Sequence, residues 1–186
     1  STVWESVLND DTRSSPSLGT VGDVARLCLG TRIHSMVCLD PRSGGKLWRK
    51  KTGYWIDATP AWFDVDGQPM VVAGAYDRYV YGFRGENGDR QWQYRTGNFA
   101  YSSTAAALLE GKRVVLTMSW DEHVYMLDGA TGALLWKAKS GPLLWSHVFQ
   151  GDSLWASPVI GVAGEKPIVL VAAFDGVMYA YGPKDD

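Results

Sequence analysis

Long apolar runs, a basic stripe and grouped metal-binding side chains are all missing from this chain of 186 residues. Its most apolar stretch, KPIVLVAAFDG from Lys166, ends well short of the roughly 20 residues that a spanning helix requires, so no membrane span is expected. A formal net charge of -2 leaves no surface suited to neutralising phosphates, and nucleic acid is excluded from the expected partners. There are only 3 His, and His34, His123 and His147 neither repeat at a fixed spacing nor pair with a carboxylate, so no metal centre is expected. Asp64 and Asp66 in FDVDGQ supply too few oxygens for a Ca2+ loop and read as a plain turn. No signal-peptide pattern opens the sequence, although Ser1 in place of Met is compatible with a removed leader. What is plentiful is 9 Trp, 9 Tyr and 21 Gly, the mixture that short strands, aromatic packing and tight turns demand.

The Trp residues carry a period. Trp48, Trp92 and Trp136 stand 44 apart, and one more step back lands on Trp4. Twelve residues after Trp4, Trp48 and Trp92 a strand-like segment starts, at Pro16, Pro60 and Thr104; after Trp136 it starts 22 residues on, at Pro158, so ten residues are inserted there. Each repeat divides into four short segments, A to D, with the marker Trp in D. Segment B reads RLCLG, MVVAG, VVLTM and IVLVA, and segment C contains Val37, Tyr81, Tyr125 and Tyr179. Four short strands in a repeat of about 44 residues is the pattern of propeller blades. The predicted fold is therefore all-β, a β-propeller with four four-stranded antiparallel blades in a single domain. The blades are expected at about 14–53, 58–97, 102–141 and 156–183, with residues 2–9 completing the last.

The turns agree. Between C and D the chain reads DPRSGG, RGENGD and DGATGA, placing Gly44, Gly88 and Gly132 where a hairpin needs positive φ. Asp40 and Asp128 open two of these turns, where a carboxylate can accept a backbone N–H two residues on. Gly53, Gly97, Gly141 and Asn9, which follow strand D, are expected in the left-handed region as well.

The pattern formed by Met126, Asp128, Thr131, Gly132 and Trp136 resembles the PQQ-like β-propeller repeat, and three such segments in register extend the resemblance over essentially the whole chain. Arg84 replaces the Asp in one repeat, and Ser43 and Asn87 replace the Thr in two. The resemblance implies that each Trp packs between blades, that rings usually hold eight blades, and that the protein is periplasmic or secreted. Members of that family include quinoprotein dehydrogenases and the lipoprotein scaffold of outer-membrane protein assembly. The quinoprotein site uses an adjacent Cys pair, a Trp floor, Ca2+ held by a carboxylate and an amide, and an Asp base. Here Cys28 and Cys38 are ten residues apart and no such set can be matched, so PQQ with Ca2+ is disfavoured. A PQQ-dependent oxidoreductase, or a degenerate cofactor-binding propeller, is the alternative reading. The two cysteines fall on neighbouring strands B and C, which suits either a bridge or two buried thiols.

The last repeat has segments A, B and C but no D. Counting on from Trp136 with the insertion included, the next marker falls four positions past the end, which is the position of Trp4. One chain could seal its own four-bladed ring, two chains could exchange strands head to tail in an eight-bladed ring, or the sequence could be a piece of a longer propeller. The resemblance tips the choice toward two chains.

Equivalent positions in the four repeats separate structural from functional residues. Ser15, Thr59, Ser103 and Ser157 put a hydroxyl just before strand A every time, and a repeated role is structural, a bond to nearby backbone. Asp77, Asp121 and Asp175 recur at the B–C turn and read as turn structure for the same reason. Arg13, Asp57, Tyr101 and Trp155 occupy one position yet all differ. With Tyr54, Trp55 and Phe99 they are expected to form a binding surface around the channel mouth. The insertion PLLWSHVFQGDSLW, carrying Trp145 and Phe149, is apolar and serves either as a contact surface or as a plug. The expected function is a non-catalytic binding or scaffolding module for a protein partner or larger assembly.

Overall fold

The computed structural model describes residues 2–139, 157–163, 166–172 and 177–182. Within them the chain forms fifteen strands and no helix. The first sheet holds β1 (Ser17–Val21), β2 (Val24–Thr31), β3 (Ser35–Leu39) and β4 (Lys46–Lys51). The second holds β5 (Ala61–Val65), β6 (Gln68–Gly74), β7 (Tyr79–Arg84) and β8 (Arg90–Arg95). The third holds β9 (Ala105–Leu109), β10 (Lys112–Ser119), β11 (His123–Asp128) and β12 (Leu134–Lys139). Each is an antiparallel meander in chain order, and β13 (Val159–Ala163), β14 (Lys166–Ala172) and β15 (Met178–Tyr181) make a three-stranded fourth sheet among the described residues. The first strands lie side by side, β1 against β5, β5 against β9 and β9 against β13, so strand A is innermost in every blade.

The predicted turn chemistry is present. Gly44, Gly88 and Gly132 have φ of 70, 74 and 71°, and each donates its N–H at 2.8 Å to the carbonyl four residues before it. Asp40 accepts from the N–H of Arg42 at 2.8 Å, and Asp128 from that of Ala130 at 3.0 Å. A bulge follows the marker pair in each complete sheet, after Cys38↔Trp48, Gly82↔Trp92 and Met126↔Trp136.

These turns receive the Trp of the preceding repeat. The Trp48 indole donates to the carbonyl of Gly85 at 3.0 Å, and Trp92 donates to that of Gly129 at 2.9 Å. The rings lie so close over Gly88 and Gly132 that a Cβ at either would fall 2.6 Å from a ring carbon. Glycine is therefore required twice over, for positive φ and for the approach of the ring. Trp4 repeats the contact on the first sheet, donating to the carbonyl of Pro41 at 2.9 Å with its ring over Gly44. Its segment, residues 2–9, forms no strand.

Two glycines serve a different purpose from the one expected of them. Gly53 and Gly97 are not among the positive-φ residues, whereas Asn9 is, with φ of 56°. A Cβ at Gly53 would lie 2.8 Å from an Asp77 carboxylate oxygen, and one at Gly97 would lie 2.4 Å from Asp121. The recurrent aspartates explain this. Asp77 accepts the Gly53 N–H and the Tyr81 hydroxyl, both at 2.6 Å, and Asp121 likewise accepts from Gly97 and Tyr125. Asp77 also accepts the Tyr79 N–H at 3.0 Å within its own turn, so what reads as turn structure in the sequence is that and, in addition, a clamp joining one blade to the next. Gly141 and Asp175 lie outside the described residues.

Cys28 and Cys38 are directly opposed across β2 and β3 and are joined in a disulfide, both fully buried, which settles the choice left open by their spacing. The hydroxyls before strand A also anchor backbone. Ser103 accepts from the Thr59 N–H at 3.1 Å, and one residue earlier Ser14 accepts from Gly30 at 3.0 Å and Ser102 from Met118 at 2.8 Å.

Candidate interaction face

Among the described residues, two loops meet on one face in each of the first three blades. The connection leaving strand D lies against the end of strand B in the next blade, and the same backbone bond ties them each time: Arg32 N–H to Asp11, Tyr76 to Trp55 and Trp120 to Phe99, at 3.1, 2.9 and 3.0 Å. The repeated bond fixes the backbone, while the side chains it carries differ from blade to blade. In the second and third blades both are aromatic.

The outcome is a continuous run of rings. His34 packs on Tyr54 at 4.9 Å between centroids, and Tyr54 stacks on Trp55 at 4.7 Å. Trp55 leads to Tyr76 at 6.0 Å, Tyr76 to Phe99 at 5.4 Å, and Phe99 to Trp120 at 5.3 Å. Tyr101 closes the run edge-on against Trp120 at 5.5 Å. Such tilted and stacked pairs are each worth about 0.5–1.5 kcal/mol beyond area burial. Trp55, Tyr76, Phe99 and Trp120 are half-buried, and Tyr54 is 39% exposed.

One end of the run is set by charge. Arg32 grips Asp57 with two bonds, from Nε at 3.1 Å and from a terminal nitrogen at 2.8 Å, while its guanidinium lies 4.4 Å from the Trp55 ring centre. The hydrogen bond to Asp57 raises the Arg32 pKa, opposed by burial. Burial pushes the Tyr76 hydroxyl well above the ordinary tyrosine value, and the Asp57 charge adds to the effect. Arg13 is exposed, and its charge acts on Tyr76 in the opposite direction.

Of the expected surface, then, Tyr54, Trp55, Asp57, Phe99 and Tyr101 fall on one connected cluster, although two of them are not surface residues, and Arg13 makes none of its contacts. Tyr101 is 2% exposed, because the Trp120 ring stands against it, and the Asp57 side chain is 4% exposed beneath Arg32. Both support the face from below. Trp145, Phe149 and Trp155 lie outside the described residues. Arg32, Tyr76 and Trp120 are the members that sequence reasoning missed. They occupy one equivalent position just after strand B, so the blade-by-blade comparison that isolated Asp57 would have isolated them too. His123 is also less isolated than its spacing suggests, with Nδ1 2.7 Å from the Asp121 carbonyl oxygen. Among the described residues no three His, Cys, Asp or Glu side chains converge as a metal site would require.

Comparison with known proteins supplies the family. Residues 1–183 match the family described as outer membrane protein assembly factor BamB. The structure of BamB from Moraxella catarrhalis superposes with a TM-score of 0.63 at 20% identity, covering 96% of this chain and 52% of that one. The computationally designed Ika4 protein gives a TM-score of 0.63 at 16% identity over 99% of both chains. The designed Ika8 protein gives 0.64 at 15% identity, over 91% of this chain and 45% of its own. No curated protein sequence matches. The chain thus spans about half the length of the Moraxella protein, and likenesses at these identities show the propeller fold. The match over residues 1–183 shows more than fold: this chain, a β-propeller of PQQ-like repeats, belongs to the family of the outer membrane protein assembly factor BamB.

Proposed function

We propose that the chain is a non-catalytic scaffold that holds a protein partner on the aromatic face spanning its first three blades. The observation that carries this reading is the ring run from His34 to Tyr101, with Trp55 set between Tyr54 and Arg32 before any partner arrives. Tyr, Trp and Arg are the residues that dominate binding hot spots, and side chains already ordered lose little entropy on association. A propeller offers such a face on rigid strands. By kinship with BamB, the partner belongs to outer-membrane protein assembly and the compartment is the periplasm, which agrees with a structural disulfide. Within the same reading, two chains join head to tail into one eight-bladed ring.

A photo-crosslinking residue placed at Tyr54 tests the contact. The expected product is a covalent adduct with an outer-membrane assembly component, identified by mass spectrometry and lost on Trp55→Ala while the unfolding midpoint stays within a few degrees. An adduct unchanged by Trp55→Ala, or one lost only together with the fold, counts against this face.

A further inference from the structure

Residues 2–8 have the surface pattern of a strand without belonging to a sheet. Trp4, Ser6 and Leu8 are half-buried while Val3, Glu5 and Val7 are exposed, the alternation of period two that an extended segment shows. Val3 and Val7 stand 89% and 73% exposed. The segment is held by its side chain and its far end, through the Trp4 indole on Pro41 and through Arg49, which donates to the Leu8 carbonyl at 3.0 Å. Its backbone groups make no ladder bonds. Unpaired backbone in an extended segment is a template for pairing with another strand.

The complete sheets specify what that strand must be. A marker Trp in strand D is latched to the next blade's turn on one side and paired with strand C of its own blade on the other. Trp48 and Trp92 have both contacts and are 7% and 6% exposed, whereas Trp4 has only the latch and is half-buried. The residue paired with the marker is Cys38, Gly82 or Met126, and the residue two places on in strand D pairs with Met36, Val80 or Val124. In the fourth sheet Ala180 holds the first of these positions, opposite Leu170 as Gly82 is opposite Val72, and Met178 holds the second. Among the described residues β15 is the last strand in that sheet's order.

We propose that residues 2–8 are a donated strand, added to β15 of a second copy of this chain with Trp4 paired to Ala180 and Ser6 to Met178. The inference rests on the two-chain reading and gives it a register. A second copy is favoured over the chain's own β15 because the inner strands pack in an open series, and β1 and β13 lack the side-by-side contact made by β1 with β5, β5 with β9 and β9 with β13.

The test is the double variant Ser6→Cys, Met178→Cys, oxidised and run without reductant beside each single variant. The expected product is a linked pair at twice the 20.4 kDa chain mass, absent from both singles. A bond formed within one chain would overturn the second copy. No bond, with light scattering still reporting two chains, would overturn the donated strand and leave the two-chain ring standing. A single-chain mass overturns both. Trp4→Ala guards against misfolding of the cysteine variants: an unchanged far-ultraviolet dichroism spectrum with loss of the two-chain species is expected, and a two-chain species that persists contradicts the exchange.

Discussion

The outer rim and the loop face of this propeller are built from the same repeat and have opposite logics. On the rim the same residues return: Trp over Gly, with the indole N–H on a carbonyl, at Trp4, Trp48 and Trp92. On the face the same backbone bond returns, while its side chains change from Asp11 with Arg32 to Trp55 with Tyr76 and Phe99 with Trp120. Repetition marks what each blade must do to adhere to the next. Variation over a repeated backbone marks what one blade does alone.

The largest expected effect lies on the rim. Trp92→Ala should cost about 3–5 kcal/mol, since it empties a seam and leaves the Gly129 carbonyl without its donor. Urea unfolding measures it, and a loss below about 1 kcal/mol would break the comparison. Next comes the disulfide, found only in the first blade. Replacing both Cys28 and Cys38 by Ala should cost about 2–3 kcal/mol, read as a lower melting point that reductant no longer shifts. Asp77→Ala, which frees the Gly53 N–H and the Tyr81 hydroxyl of one clamp, should cost about 1–3 kcal/mol in the same assay.

Alkaline pH probes both regions together. Burial first, then the bond to the clamp aspartate, raises the pKa of Tyr81 and of Tyr125, and burial raises that of Tyr101. A folded-state value above the unfolded one stabilises the protonated form, so this stability is intact below about pH 10 and is lost as pH climbs toward the folded values. Unfolding midpoints should fall on going from pH 9 to pH 11, and the Tyr81, Tyr101 and Tyr125 hydroxyls should ionise with unfolding rather than before it. The smallest effect belongs to the exposed face: Tyr54→Ala should change stability by about 0.5 kcal/mol or less while weakening partner capture. A variant as costly as Trp92→Ala would erase the distinction between rim and face.

The seams were legible in the sequence because they are local arithmetic. Trp spacing and the hairpin glycines suffice to place strands, and both recur. The disulfide was only half legible, since ten residues between cysteines fixes neighbouring strands but not the register that sets Cys28 opposite Cys38. Gly53 and Gly97 show a different limit. Their glycine was visible, yet its cause is an aspartate 24 residues on, in the next blade. The face was harder for the same reason. Nothing near Tyr101 or Asp57 in the chain says that Trp120 and Arg32 will cover them, because burial there is decided between blades.

The latch makes the energetic unit of this fold differ from its hydrogen-bonded sheet. Trp48 and Trp92 are each covalently part of one blade and buried against the turn of the blade after it, so cutting the chain at sheet boundaries would sever the seams it tried to preserve. Recombination of blades, or their transfer to another ring, should succeed when crossover points fall between a hairpin Gly and the marker Trp that follows it, as between Gly88 and Trp92, with both halves of a latch inherited from one parent. In slow amide exchange the co-operative blocks should follow the latches, with protection in β7 and β11 tied to β4 and β8, the strands D that precede them.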